Sequence, residues 1–420
     1  MTRPRGLLAW FRRHAIDTSP LRASADFRRL FVGRSVSNFG DEIVAVVIPF
    51  QVYELTGSTL AVGLLGLVEL VPVLVAPIVG GAFADALERR RLAVVTHLVL
   101  AGLSVLMAVN ALRPEPLVWP LYAFAFLSAG LVTFNRPTLD TWPARLLDLD
   151  LLPSAGALDA GFGTFAGMVG PVVAGLLLAS IAPAGAFLFD AATFLVVIGA
   201  LLRMRPSPPA DDRPELGIRA IAEGFRFLRG RRVVQSVFLV DLIAMVFGFP
   251  VALFPAIARD RLGGGPEVLG FLHAALAAGA FAATMLSGSA RRVRRQGRAI
   301  LVAVVVWGAA IVVFGLTTSL GVALAMLAVA GAGDMVSGIF RTTILRSAVE
   351  DRLRGRLDGI GMAVWATGPS VGNLESGLVA SLVSVPFAVT SGGVATVLGA
   401  LALAAFAPAF WRYDARAPQA

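Results

Sequence analysis

Twelve apolar runs, each close to the ~20 residues that carry a helix across a bilayer, follow one another through this 420-residue chain. They fall near 28–54, 60–83, 92–112, 117–138, 154–180 and 184–203, and then near 233–257, 267–290, 299–318, 319–340, 357–382 and 386–411. Inside hydrocarbon a backbone must satisfy its own N–H and C=O groups, so such runs commit the chain to transmembrane helices. With 57% hydrophobic and 15% charged residues, the chain has too little polar surface to cover a soluble domain of this length. The expected fold class is all-α integral membrane, with twelve spans. The organisation reads as a tail over 1–26, six spans over 27–203, a polar linker over 204–232, six spans over 233–411 and a tail over 412–420.

Orientation follows from charge. All 36 basic residues are arginine, and 33 of them fall in the gaps on the side of the N-terminus, leaving Arg113, Arg259 and Arg261 on the other. Arginine gathers on the cytoplasmic side, which predicts both termini in the cytoplasm of a cell-membrane protein. The net charge of +9 therefore reads as orientation, because the arginines occupy short loops and build no folded basic face for nucleic acid. The first 26 residues lack a long apolar stretch and read as a tail, not a signal peptide. Without cysteine, thiol catalysis and disulfides are excluded. In the linker, Leu216, Ile218, Ile221, Phe225 and Leu228 recur at near-helical spacing between arginines, predicting a short amphipathic helix on the membrane surface.

Six spans, a linker and six spans suggest an internal duplication. At an offset of 207 residues Gly63 falls on Gly270, Gly81 on Gly288 and Arg91 on Arg298. At an offset of 198, Gly170-Pro171 of the fifth span falls on Gly368-Pro369 of the eleventh. These registers predict two pseudo-symmetric six-helix bundles.

The loop after the second span holds Gly81, Asp85, Arg89 and Arg90, a spacing that puts a small residue at a helix contact and charges at the next helix end. The fifth span carries Gly167, Gly170, Pro171 and Gly175, which bend a helix and let a neighbour approach closely. Both patterns resemble motifs of the major facilitator superfamily: the Gly-x-x-x-Asp-Arg-x-Gly-Arg-Arg loop, from which Ala86 and Glu88 depart, and the antiporter signature. Segments at 27–31, 53–63, 112–116, 222–228 and 353–359 are similar to its exporter branch of drug:proton antiporters, and the likeness runs from about 27 to 411. The resemblance implies alternating access between two bundles and a loop that latches one bundle against the other. It also implies export of a drug, siderophore or secondary metabolite in exchange for protons, by a monomer without a cofactor.

Charges inside spans supply the remaining candidates, since an ionised group at a helix centre costs about 2.5 to 3.5 kcal/mol on the insertion scale. Asp41 and Glu42 lie about 13 residues, roughly 20 Å, into the first run at 1.5 Å per residue. Adjacent residues project about 100° apart, so one of the two faces a central cavity. Asp41 is the choice, following the acid that related exporters carry in this helix. Two neighbouring carboxyls disfavour simultaneous ionisation, which suits a proton carrier. A structural acid bonded to Arg34 or Arg136 is the alternative. Glu69 and Asp334 are further proton-coupling candidates. Asp159, one turn from the end of its span, is a gate or cap, and Asp190 is assigned to helix packing. Arg136, Glu375, Phe50, Phe134, Phe247 and Trp365 are candidates for the cavity wall. Three scattered histidines give no metal site. No Walker A loop is present, so an ion gradient or a partner must supply energy. The rival readings are a proton-coupled nutrient importer, which the Gly-Pro signature disfavours, a membrane sensor or scaffold, and an embedded enzyme, for which no catalytic cluster is found.

Overall fold

The computed structural model describes residues 17–86, 88–205, 230–288, 293–347 and 351–414, and in 77–86, 137, 351–360, 362–363 and 366 the backbone only. Among these residues the chain is helical, without a strand; Arg295 and Asp414 form one isolated bridge. The helices follow the apolar runs in order. In the first half they are span 1 (Ala25–Thr56), span 2 (Thr59–Ala86), span 3 (Arg89–Ala111), span 4 (Trp119–Thr141) and a long helix, Leu152–Leu202. That helix breaks at Ile181 and Ala182 into span 5 (152–180) and span 6 (183–202). The second half has span 7 (Arg232–Phe247, continued by short turns to Arg261), span 8 (Pro266–Met285) and span 9 (Gln296–Leu316). Span 10 (Leu320–Ser347), span 11 (Asp351–Leu382) and span 12 (Val385–Phe406) complete it. The amphipathic helix expected at 214–228 lies outside the described residues.

Among the described residues eight helices are long and apolar enough to cross a membrane, and the broken helix holding spans 5 and 6 counts once among them. Spans 1, 4 and 11 fall outside that set. They carry Arg34, Asp41 and Glu42, then Asn135, Arg136 and Asp140, then Asn373 and Glu375. Polar groups retained in spans despite the insertion cost are candidates for function.

Local chemistry fixes the helix ends. Ser24 caps span 1 by accepting the Phe27 N–H at 3.2 Å, and Gly57 ends the span in the left-handed conformation, at φ 61°. At the break between spans 5 and 6, Ala182 has φ 58° and ψ 173°, a region that side-chain-bearing residues rarely enter. Pro183 follows it and has no N–H with which to continue the ladder. Span 7 stops at Gly248, ahead of Pro250, and the indole of fully buried Trp307 donates to the Gly248 carbonyl at 2.8 Å.

We call the side from which span 1 departs the N-face and the opposite side the far face. The two halves meet along two seams. In one, span 2 crosses span 11 so closely that a methyl group on Gly63 would lie 2.6 Å from the Asn373 carbonyl oxygen, and one on Gly377 2.6 Å from that of Thr59. In the other, span 8 crosses span 5, and a methyl on Gly270 would lie 2.5 Å from the Pro171 carbonyl oxygen. Gly63 and Gly270 are the pair related by the 207-residue offset, so each does the same packing work in its own half. The largest buried cluster joins the halves, running from Val47 and Val52 through Leu253 and Phe254 to Trp307 and Phe314. Nearer the N-face the first half has separate small clusters, around Leu30, Trp142 and Leu201 and around Phe27, Ala155 and Leu158.

Candidate functional site

The far face is fastened by polar contacts between the halves. Tyr53 donates to Asp260 at 2.5 Å, and Arg259 pairs with Glu54 at 2.7 Å, joining the end of span 1 to the turns after span 7. Thr59 donates to the Gly377 carbonyl at 3.1 Å. Within the second half, Asn373 of span 11 accepts the Ala252 N–H at 3.2 Å. Arg261 donates to the Gly315 and Thr317 carbonyls at the end of span 9, at 2.5 and 3.2 Å. Two of the three far-side arginines therefore have specific partners, which accounts for their departure from the arginine bias. This fastening was missed from sequence, although the rarity of far-side arginine was its signal.

The arrangement of Asp41 and Glu42 differs from the expected one. Asp41 lines a cavity of about 40 Å³ inside the first half, between spans 1, 3, 4 and 6, together with Ser37, Asn38, Thr96, His97 and Asn135. It does not turn toward the other half. Its electrostatic neighbours are Asp190 and Glu42. The rotation of span 1 that produces this is set by Gly33 and Gly40, which press against Val197 and Thr193 of span 6. Glu42 is carried round toward span 5, where a methyl on Gly170 would lie 2.7 Å from its Cβ and one on Gly167 4.0 Å from its Oε1. Arg34 is not bonded to Asp41: it pairs with Asp140 at 3.0 Å and lies 4.0 Å from Asp159. Arg136, half exposed, pairs with Asp140 at 3.4 Å, which places it in the ion-pair group of spans 1, 4 and 5.

Other predicted residues disperse. Glu69 lies one turn from Gly66, at the span 11 seam, and one turn from Pro72, which packs on Gly130 of span 4. In the second half Arg341 pairs with both Asp241 of span 7 and Asp334, the latter at 3.6 Å. Glu375 is partly buried in span 11, two residues from the seam contact Asn373. Gly175 sits in the span 5 seam, where a methyl would lie 2.6 Å from the Pro266 carbonyl oxygen.

Of the loop motif, Gly81 and Asp85 belong to the segment whose backbone alone is described. Arg89 donates to Thr141 of span 4 at 2.9 Å and Arg90 to the Met204 carbonyl after span 6 at 2.9 Å. Glu88, the departure from the motif, pairs with Arg91 at 2.9 Å and Arg90 at 3.4 Å. These contacts all stay within the first half.

Aromatic residues gather where sequence did not foresee. Phe27, Phe31, Phe162, Phe165 and Phe39 form a ladder along spans 1 and 5, with successive ring centroids 5.8 to 6.5 Å apart. Phe165 is 48% exposed, so the ladder offers an open aromatic wall beside Glu42. Among the expected wall residues, Trp365 and Phe247 are exposed, Phe50 packs against the main cluster and Phe134 is partly buried in span 4. Register between two spans creates the ladder, and periodicity within one span carries no signal of it.

A membrane protein with two symmetric halves, fastened at one face and carrying buried acids, has the parts of an alternating-access carrier. Comparison with known proteins agrees. The chain matches the transmembrane secretion effector family over residues 16–419. It is 27% identical over 389 residues to the enterobactin exporter EntS of Shigella boydii serotype 18, covering 92% of this chain and 93% of that protein, and equally so to EntS of Escherichia coli. Among solved structures it resembles the nucleoside transporter NupG, with TM-score 0.73, 11% identity, and coverage of 90% of this chain and 99% of that one. It also resembles the POT family transporter PepTSo, at TM-score 0.72 and 13% identity, covering 93% and 99%. A bacterial homologue of the human lysosomal transporter Spinster follows at TM-score 0.69 and 17% identity, covering 93% and 96%. These likenesses establish the major facilitator fold. The chain belongs to the transmembrane secretion effector family and is a multi-pass membrane transporter of the major facilitator kind, not an enzyme.

Proposed function

We propose that this transporter exports a hydrophobic or amphiphilic small molecule, such as a drug, siderophore or secondary metabolite, in exchange for protons. The observation that carries the reading is the seat of Glu42 beside the Gly167–Pro171 segment of span 5. Pro171 has no N–H, so the Gly167 carbonyl loses its helical donor. A protonated Glu42 gains a hydrogen that such a carbonyl accepts, and an ionised one does not. Loading a proton thereby changes the hold of span 1 on span 5, the helix that forms a seam with span 8. Charge balance supports the same view. Asp334 and Asp241 share Arg341, whereas Asp41, Glu42 and Glu69 have no ion-pair partner among the described residues. The unbalanced acids of the first half are the better proton carriers, and Asp334 the poorer.

The fastened far face and the small first-half clusters near the N-face correspond to a carrier open toward the N-face, where substrate enters along the phenylalanine ladder. The arginine bias makes that face cytoplasmic, with both termini inside and the two six-helix units at 27–203 and 233–411 rocking as bodies. The named relatives are exporters, which favours outward movement. The importing direction has no observation of its own, because the structural neighbours share the fold at 11 to 17% identity only.

The test is accumulation of fluorescent cationic dyes, macrolides and catecholate siderophores in cells expressing the protein, with and without a protonophore. Lower accumulation that collapses with protonophore is expected. Accumulation higher than in control cells for any probe would support import and end the export reading.

A further inference from the structure

We infer that the cavity enclosed by spans 1, 3, 4 and 6 is a sodium site, with Asp41, Asn38 and Asn135 as ligands. It is argued from the cavity alone, and it deepens the proposed transport cycle by adding an ion to it. The volume of about 40 Å³ admits a small ion with about two waters, since one water needs roughly 10–15 Å³. Its walls carry several oxygen and nitrogen acceptors. The Thr96 hydroxyl donates to the Leu92 carbonyl at 2.9 Å, which leaves its lone pairs. His97 Nδ1 lies 2.7 Å from the Ala93 carbonyl and must carry the proton, so the neutral ring keeps an acceptor at Nε2. Asn135 is 2% exposed, and its Oδ1 has no hydrogen-bond partner among the described residues. Beside the cavity, Asp190, 1% exposed and an electrostatic neighbour of Asp41, accepts from Ser104 at 2.6 Å through one oxygen, and its other oxygen is unpartnered in the same sense.

Acceptors without a partner therefore stand at the cavity, on Asn135, and beside it, on Asp190, next to the Asp41 carboxyl, in a medium where an uncompensated charge is costly. The other charged groups near them are Arg34, which lines the cavity, and Glu42, an acid on the neighbouring position of span 1 that turns toward span 5. Arg34 is committed to the Leu139 carbonyl at 3.2 Å and Asp140 at 3.0 Å. Carboxylate, amide and hydroxyl oxygens suit a hard cation. Magnesium keeps several waters, for which there is no room, and potassium is larger than sodium. At Asp41 the ion and a proton exclude each other, so sodium occupies the site when Asp41 is ionised and the first half keeps one charge through the cycle. Asp41 adjoins Glu42, which carries the state of the site to span 5.

The deciding experiment is thermal unfolding of the purified full-length protein in detergent at pH 8, in sodium, lithium, potassium or choline chloride at equal ionic strength. A saturable rise in Tm of a few degrees with sodium, absent with potassium and choline and lost in Asp41→Asn and Asn135→Ala, is expected. Equal Tm in all salts overturns the site, as does a sodium effect that survives both variants. Stabilisation by acid in choline without any by sodium assigns the cavity to protons and overturns it too. Should a variant not fold, the wild-type salt series still decides. Protonophore-sensitive export that persists at full rate without sodium, together with equal Tm, removes the sodium site and leaves proton-driven export standing. A sodium-specific rise in Tm without export of any probe does the reverse.

Discussion

Two residues show how single side chains hold the spans in place. Trp307 is fully buried, and its indole N–H serves the Gly248 carbonyl where span 7 ends. Trp307→Phe keeps most of the packing and orphans that acceptor, and it is expected to cost about 1–3 kcal/mol, read as a lower Tm in detergent. Glu42→Gln fixes the neutral, donor-bearing form beside Gly167, so it should abolish proton-driven export while leaving probe binding within a few-fold of wild type, measured by fluorescence titration. Sequence could find the pair Asp41 and Glu42, because charge in the middle of an apolar run is conspicuous. It could not decide which of them turned outward. Adjacent residues are separated by about 100° of rotation, and the rotation of span 1 is set by the fit of Gly33 and Gly40 against span 6. The same limit hid the packing partner of Asp190, Ser104, which is 86 residues away in sequence.

At the scale of elements, the break between spans 5 and 6 and the two glycine seams define how the helices move against one another. Ala182 sits at φ 58° and ψ 173°, a conformation that glycine adopts without strain. Ala182→Gly is therefore expected to stabilise the protein by about 1 kcal/mol, visible as a higher Tm with transport retained. The seams behave oppositely. Gly270→Val forces side-chain atoms against the Pro171 carbonyl, and overpacking of this kind costs about 1–3 kcal/mol. Because this cost falls on the state with the far face closed, the population shifts by about tenfold toward the open one. The chain has no cysteine, so Thr59→Cys in the other seam is a clean reporter. Its labelling by a membrane-impermeant maleimide should quicken about tenfold in the Gly270→Val background. The helices, their order and the repeat relating Gly63 to Gly270 were legible because apolar run length and glycine register are properties of the sequence itself. The break at Ile181 was readable only as a gap between two runs, since nothing in composition distinguishes a loop from a bent continuous helix.

For the whole molecule, the far-face contacts between Glu54 and Arg259 and between Tyr53 and Asp260 join the halves across about half the chain. They are held by side chains alone and can part and re-form. Cysteines replacing Glu54 and Arg259, joined by a cleavable bis-maleimide, should stop transport, and cleavage of the linker should restore it. The all-helical membrane fold was legible in advance from the apolar runs. The far-face fastening was not, because a pairing of residues 205 positions apart leaves no local pattern. In the proposed cycle a proton gradient drives substrate outward through Asp41 and Glu42 of span 1. The most direct measurement is uptake of a fluorescent cationic dye and of a catecholate siderophore into inside-out membrane vesicles with an imposed acid interior, comparing wild type, Asp41→Asn and Glu42→Gln. Uptake of at least one probe by wild type, collapse on adding protonophore, and loss in both variants are expected. Uptake that ignores the protonophore, or that survives intact in both variants, would contradict it.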